Sequence, residues 1–208
     1  LLHKNNIIKL HGVKSQKVII GEVIQEHDAD TAYESFDEQS VLKDLLASKK
    51  VGFEKGDVLL LGDTHGMPTT GLLYIASFLR RNGVKALCRF YDDADNFQSM
   101  AADIEKILGQ VQPRVVGISM KWFLYIARVV ELAKIIKEYS RRHGVDIKVV
   151  VGGNTASYYW KEIIDYDFID YIVRGDGEEP LLKIFHGEKN IPNCIYKENG
   201  EIIESPFT

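Results

Sequence analysis

The chain has 208 residues, with 26 basic and 30 acidic side chains, a formal net charge of −4 and two cysteines. Its hydrophobic fraction of 45% and charged fraction of 27% are typical of a globular protein and exclude a disordered, collagen-like or disulfide-scaffold chain. The slight acidic excess argues against a nucleic-acid partner, and no apolar run approaches the ~18 residues that a membrane-spanning helix needs. Few cysteines and the lack of a secretory signal predict a cytoplasmic protein.

Strand and helix patterns alternate along the chain from residue 57 onward. Short apolar runs predict strands at 57–62, 84–91, 114–119, 147–153 and 169–173. Amphipathic segments predict helices at 70–82, 96–108, 122–142, 158–164 and 178–185. Gly83 and Gly144 are expected to end the first and third helices. The third helix is expected to bury an apolar stripe of Trp122, Ile126, Val129, Val130, Ala133 and Ile136.

This alternation predicts the architecture of residues 55–190. Strands that alternate with helices form a parallel sheet through right-handed crossovers, and continuous apolar strands indicate helices on both faces. We therefore predict an α/β, flavodoxin-like, doubly wound domain with a five-stranded parallel sheet in the order 2-1-3-4-5. Residues 1–54 are predicted to be an N-terminal extension with a strand at 17–23 and a helix at 38–48. Residues 191–208 are predicted to be a hairpin, turning at Asn199-Gly200, that leads onward as a linker.

Polar residues and glycines follow the strands at their carboxyl ends, the edge where doubly wound sheets bind ligands. We expect the ligand contacts to come from the loops after strands 1, 3, 4 and 5. The candidates are Asp63, Thr64, His65, Gly66, Ser119, Met120, Gly152, Gly153, Asn154, Thr155, Gly175 and Gly177.

His65 is the candidate metal ligand among them. Imidazole binds transition metals such as cobalt, and Asp63, two residues earlier, could accept the proton of the other ring nitrogen. The alternative is an ordinary exposed loop. Ser119 could donate to a ligand or cap the next helix. Gly152 and Gly153 could admit a ligand close to the backbone or form a tight turn.

Gly175 and Gly177 flank an acidic turn after strand 5. Asp176 and Glu178 there could face a ligand, or they could simply suit the positive end of the following helix. No GxxxxGKS/T phosphate loop is present, and no GxGxxG motif follows strand 1, so a classical nucleotide fold is not supported.

Several segments match the motifs of one known family. They are PTTGLLYIA at 68–76, VVGIS at 115–119, VVGGNT at 150–155, DYIVRGDGE at 170–178 and the hairpin entry IPNCIY at 191–196. In this order and spacing they resemble the cobalamin-binding domain of the B12-dependent radical SAM enzymes. The match departs from the family's D-x-V-x-G-E-G-E signature in having Asp176 where Glu is usual, and it covers about residues 55–204.

The resemblance implies that cobalamin lies over the sheet edge, with its dimethylbenzimidazole tail displaced and buried beside strands 1, 3 and 4. Gly152 and Gly153 would leave space for the tail, and Ser119 and Thr155 would hydrogen-bond along it. Methionine synthase and the B12 mutases use D-x-H-x-x-G and S-x-L motifs, in which the His binds cobalt. Asp63, His65 and Ser119 match these motifs, whereas Pro68 and Lys121 replace their Gly and Leu. Because many radical SAM relatives bind cobalamin without a lower His, ligation by His65 stays open.

The resemblance also implies a catalytic partner. In the family, a radical SAM domain holds a 4Fe–4S cluster through C-x-x-x-C-x-x-C, cleaves S-adenosylmethionine and commonly transfers a methyl group. Cys88 and Cys194 cannot supply that motif. We therefore expect a fragment or domain that binds cobalamin without turnover, assign it no catalytic residue, and expect a C-terminal radical SAM domain in cis or in trans.

Three alternatives stay open from the residues. The chain could be a stand-alone B12 carrier or sensor, or a cofactor-free flavodoxin-like signalling module, although Ser119 at the end of strand 3 counts against phosphorelay. It could also be a small-molecule enzyme that uses Asp63, His65 and Asp92 as acid–base groups.

Overall fold

The computed structural model describes residues 55–63, 70–91 and 97–207. Within these ranges seven strands form one sheet in the order β2-β1-β3-β4-β5-β6-β7. The strands are β1 (Val58–Asp63), β2 (Ala86–Tyr91), β3 (Val115–Ser119), β4 (Lys148–Gly152), β5 (Tyr171–Val173), β6 (Cys194–Glu198) and β7 (Glu201–Glu204). The helices are α1 (Thr70–Arg81), α2 (Phe97–Val111), α3 (Ile126–His143), α4 (Asn154–Tyr158), α5 (Trp160–Ile164) and α6 (Glu178–His186).

The first five strands run parallel, in the predicted order 2-1-3-4-5. The predicted hairpin around Asn199-Gly200 is present, and it extends the same sheet. β6 pairs antiparallel with β5, with Val173 opposite Cys194, and β7 pairs antiparallel with β6. The hairpin therefore covers the backbone groups that the short strand β5 would otherwise leave at an open sheet edge.

Side chains of the central strands point alternately to two apolar layers, one on each face of the sheet. Leu59 and Leu61 belong to the cluster that includes residues of α2 and α3. On the opposite face Leu60 lies near Leu181 of α6 across Gly117, whose absent side chain lets the helix approach: an added Cβ would meet these leucines at 2.9 and 3.3 Å. β1 is a continuous apolar run because helices cover both of its faces.

Helix α3 ends at Gly144, as predicted, with the left-handed backbone (φ 62°) that favours glycine. Its predicted start at Trp122 is wrong. Trp122 has extended backbone (φ −112°, ψ 134°) and precedes a 3₁₀ turn at Phe123–Tyr125, so α3 begins only at Ile126. Trp122 is 43% exposed and does not belong to the buried stripe predicted for it.

The helix predicted at 158–164 is two short helices. α4 begins at Asn154, directly after Gly153, and Tyr159 (φ −99°, ψ 27°) separates it from α5. The early start brings Thr155 and Ala156 into the buried part of the fold. The predicted strand at 17–23 and helix at 38–48 lie outside the described residues, as do residues 64–69 and 92–96.

Candidate functional site

The carboxyl ends of β1, β3 and β4 meet at one edge of the sheet. Ser119 at the end of β3 lies opposite Gly152 at the end of β4, and Gly152 in turn lies opposite Val173 of β5. Asp63 ends β1 and is half-buried. Three predicted site residues, Asp63, Ser119 and Gly152, therefore share this edge. Thr64, His65 and Gly66 follow Asp63 in the chain but lie outside the described residues.

Hydrogen bonds tie the loop after β3 to the loop after β4. The Met120 amide donates to the Gly152 carbonyl (2.7 Å), and the Thr155 amide donates to the Met120 carbonyl (3.2 Å). The Thr155 hydroxyl donates to the Lys121 carbonyl at 2.8 Å. Since a hydroxyl has one proton, Thr155 can only accept a hydrogen bond from a ligand while this bond holds. The Met120 side chain is fully buried, so only its backbone lies at the edge.

The two glycines after β4 differ in their surroundings. Gly153 has φ 105° and ψ 170°, and a Cβ added there would lie 3.0 Å from the Met120 carbonyl oxygen. Among the described residues, a Cβ added to Gly152 would meet Val173 alone, at 3.6 and 3.8 Å, which is ordinary contact. Packing of the protein therefore requires glycine at 153, whereas at 152 it leaves surface that a ligand can approach closely.

Ser119 is not a helix cap. Trp122 and Tyr125 occupy the N-cap positions of the 3₁₀ turn and of α3, and neither cap is a side-chain hydrogen bond. Ser119 is half-buried, and its hydroxyl makes no hydrogen bond to any residue in the described ranges. The capping alternative is therefore excluded, and the hydroxyl is placed where it can serve a ligand at the edge.

Large apolar side chains lie exposed after both strands. Phe123 and Leu124 are 64% and 70% exposed after β3, and Tyr158 is 79% exposed after β4. The exposed Lys121 places its Nζ 5.3 Å from the centroid of the Trp122 ring, within cation–π range. The sequence did not predict this exposure, because large apolar side chains at the start of a helical segment also fit the buried face of a helix.

Gly175 and Gly177 have packing roles in the loop after β5. A Cβ at Gly177 would lie 2.7 Å from Ile75 Cδ1, so this glycine lets α1 lie against the start of α6. Gly175 has φ 73°, and a Cβ there would lie 3.4 Å from the Phe207 ring. At the start of α6, burial raises the pKa of the half-buried Glu178 carboxyl, and the charge of Asp176 raises that pKa further.

Arg174 fastens this loop to the segment after β7. Its Nη1 pairs with Glu204 at 2.7 Å, its Nη2 donates to the Ser205 carbonyl at 2.9 Å, and its guanidinium stacks 5.4 Å from the Phe207 ring centroid. Only 15% of its side chain is exposed. The hairpin and the loop after β5 are therefore held as one unit.

The described ranges contain no group of three or more His, Cys, Asp or Glu side chains that could hold a metal ion. Cys88 and Cys194 are both buried, and burial raises the pKa of the Cys194 thiol to about 12. Among the helices of the described ranges, none combines the length and the apolar composition needed to cross a bilayer. The candidate cobalt ligand His65 lies outside these ranges.

A model of the B12 binding domain family matches residues 58–185, more than half of the chain. The chain belongs to the B12-binding domain family. The match runs from the first residue of β1 into α6, so it contains every strand end of the candidate site. No curated protein sequence matches the chain.

Two solved structures share this fold. The cobalamin-dependent S-adenosylmethionine radical enzyme OxsB, with aqua-cobalamin and S-adenosylmethionine bound, has a TM-score of 0.58 at 16% identity, over 74% of this chain and 22% of that one. The radical S-adenosylmethionine methyltransferase TsrM from Kitasatospora setae, with cobalamin and a 4Fe–4S cluster bound, has a TM-score of 0.57 at 18% identity, over 73% and 29%. The chain thus spans less than a third of either protein, and the likeness is one of fold.

Proposed function

We propose that this B12-binding domain holds cobalamin at the carboxyl edge of β1, β3 and β4 and serves a radical SAM catalytic domain of the methyltransferase type. Family membership supports the cofactor, and the fold shared with OxsB and TsrM supports the partner. The observation that carries the proposal is the unequal pair of glycines after β4. Gly153 is fixed against Met120, whereas the described residues around Gly152, opposite Ser119, leave room for an added Cβ.

The dimethylbenzimidazole base at the end of the cobalamin tail is flat and aromatic. It would need a slot without protein side chains between neighbouring strand ends. Gly152 offers such surface, because Val173 is the one described residue within 4 Å of the position of an added Cβ. The Ser119 hydroxyl can donate or accept there, and the Thr155 oxygen can accept. These groups would fix the tail by two polar contacts and one close backbone approach.

The other predicted contacts have narrower proposed roles. Met120 would act through its backbone, because its side chain is fully buried, and the exposed Asn154 would contact the cofactor from the start of α4. Gly175 and Gly177 would shape the loop beside the site. Asp63, followed by Thr64, Gly66 and the candidate cobalt ligand His65, would supply the contacts beneath the corrin ring. The Asp63 carboxylate would orient the imidazole.

Cobalamin supplies the organometallic chemistry of methyl transfer, and the protein supplies placement and shielding. The 4Fe–4S cluster and S-adenosylmethionine would belong to the catalytic domain, joined in cis or acting in trans. Cys88 in β2 and Cys194 in β6 cannot supply the cluster, because they are only two thiols and four strands of the sheet lie between them.

Hydroxocobalamin added to the purified protein tests the proposal directly. We expect the corrin absorbance to accompany the protein through gel filtration. A protein peak without visible absorbance would overturn the proposal.

Two glycine variants test the placement of the tail. Gly152→Ala should fold normally but weaken cobalamin binding by about tenfold or more, because the added methyl group fills the slot. Gly109→Ala in α2 is the matched control, since its Cβ would also lie 3.6 Å from an oxygen, the Tyr139 hydroxyl. If Gly152→Ala and Gly109→Ala bind cobalamin with equal affinity, the tail does not lie against Gly152.

The His65→Ala variant tests cobalt ligation. If His65 is the lower ligand, the visible spectrum of the bound cobalamin changes when the imidazole is removed. An unchanged spectrum with retained binding would show that the domain holds cobalamin without a histidine–cobalt bond.

A further inference from the structure

Lys121 follows β3 at the same edge, and the proposed contacts leave its charge without a role. Its backbone is closely constrained. The Lys121 carbonyl accepts a hydrogen bond from the Thr155 hydroxyl at 2.8 Å. The backbone nitrogen of Lys121 lies 3.4 Å from the position that a Cβ on Gly153 would occupy. The side chain therefore starts from a defined point between the loops after β3 and β4.

The ammonium group of Lys121 has no acidic partner within the described residues. Within that part of the chain the ammonium lies 5.3 Å from the centroid of the Trp122 ring, and the side chain is exposed. A lysine ammonium is a compact charge with three donors, and contact with an aromatic face leaves those donors available to an anion. The edge thus presents an exposed positive charge on a residue whose backbone lies beside Gly153 and Thr155.

Two other cations near the edge are less exposed than Lys121. Arg174 is paired with Glu204 and with the Ser205 carbonyl. Arg128 in the first turn of α3 lies 5.3 Å from the Tyr125 ring centroid, and its Nη1 is buried, without a hydrogen-bond partner among the described residues. Among these three cations in the described ranges, Lys121 is the one whose charge is both exposed and uncompensated.

We propose that Lys121 binds the phosphodiester of the nucleotide tail of cobalamin. This inference rests on the proposed function and adds a recognition group to the same site. The amide substituents of cobalamin around its corrin ring are neutral, whereas its nucleotide tail carries one anionic phosphodiester. A lone ammonium beside the slot for the tail base therefore has one charged group to meet, and lysine binds phosphate as a point charge.

Phosphorus-31 NMR of bound hydroxocobalamin tests this contact, because the cofactor contains a single phosphorus atom. We expect its resonance to differ between the wild-type complex and the Lys121→Gln complex. Lys121→Gln should also raise the dissociation constant about three- to tenfold at low ionic strength, and the difference should shrink in 0.5 M salt, which screens exposed charges. Lys121→Arg should restore most of the affinity.

Lys161→Gln is the matched control. Lys161 is exposed and lies 5.5 Å from the Trp160 ring centroid, but it belongs to α5 rather than to the loop after β3. Its replacement should change neither the affinity nor the phosphorus resonance. Thermal unfolding should confirm that both glutamine variants are folded.

The outcomes separate the two proposals. Loss of affinity with an unchanged phosphorus resonance would place Lys121 on the corrin ring and overturn the phosphate contact. Equal affinity and equal resonance in wild type and Lys121→Gln would overturn it as well, while leaving cobalamin binding intact. No cobalamin bound by any of the proteins would overturn the proposed function, and the phosphate contact with it.

Discussion

Replacing Gly153 by alanine should destabilise the domain strongly even without a ligand. Its φ of 105° and ψ of 170° lie in a region that only glycine populates readily, which costs alanine about 1–3 kcal/mol. The new Cβ would also lie 3.0 Å from the Met120 carbonyl oxygen and 3.1 Å from its carbon. Backbone must move to relieve that contact, which adds about 1 kcal/mol.

The expected loss is therefore about 2–4 kcal/mol, a large part of the 5–15 kcal/mol that stabilises a typical domain. It should lower the melting temperature by about 5–15 °C. Urea unfolding followed by circular dichroism measures it. Gly152→Ala is the paired variant and should lose less than about 1 kcal/mol, because its Cβ meets Val173 only at ordinary distances.

Two results would refute this reasoning. One is a Gly153→Ala protein whose unfolding free energy lies within about 0.5 kcal/mol of wild type, the scatter expected of a neutral substitution. The other is a Gly152→Ala protein as unstable as Gly153→Ala, since the two glycines would then not differ in their packing.

Three further predictions concern the same edge and its surroundings. Thr155→Val should lose about 0.5–1.5 kcal/mol of unfolding free energy, because the Lys121 carbonyl loses its donor, whereas Thr155→Ser should keep most of it. Cys88 and Cys194 should resist a thiol reagent in the native protein at mildly alkaline pH, since both are buried and the pKa of Cys194 is about 12, and both should react in denaturant. Because the pKa of Glu178 is raised above 4.5, the folded state holds its proton more tightly than the unfolded chain does, and the stability from this group falls as pH rises through the raised pKa. Unfolding titrations of Glu178→Gln across that range should lack this decline, and an identical pH profile in both proteins would contradict the burial of the carboxylate.

Local sequence patterns account for the strands and for most of the helix positions. Leu59, Leu60 and Leu61 are all buried, so a strand covered on both faces appears in the sequence as an unbroken apolar run. Gly144 ends α3 because the left-handed conformation needed there suits glycine. Such features depend on a few neighbouring residues, whereas the order 2-1-3-4-5 was predicted from the doubly wound fold that five successive strand–helix units suggest.

Local patterns failed where a distant part of the chain decides the outcome. Trp122 fits a helical stripe by spacing, but the connection from β3 extends the backbone there and leaves the ring exposed. The sequence also gives no sign that Gly177 accommodates Ile75 of α1. No local signal could have predicted that contact, because its partner lies in another helix.

The residues alone therefore determine an α/β domain whose strand ends carry Asp63, Ser119 and the Gly152-Gly153 pair. They do so because strand and helix periodicity depends on the pattern of polar and apolar side chains in neighbouring residues. Tertiary structure decides what those residues are free to do. It joins Thr155 to the Lys121 carbonyl, fixes Gly153 against Met120 and leaves Gly152 open. The physical reason is that hydrogen bonds and close contacts form between loops far apart in sequence, and only the folded sheet brings those loops to one edge.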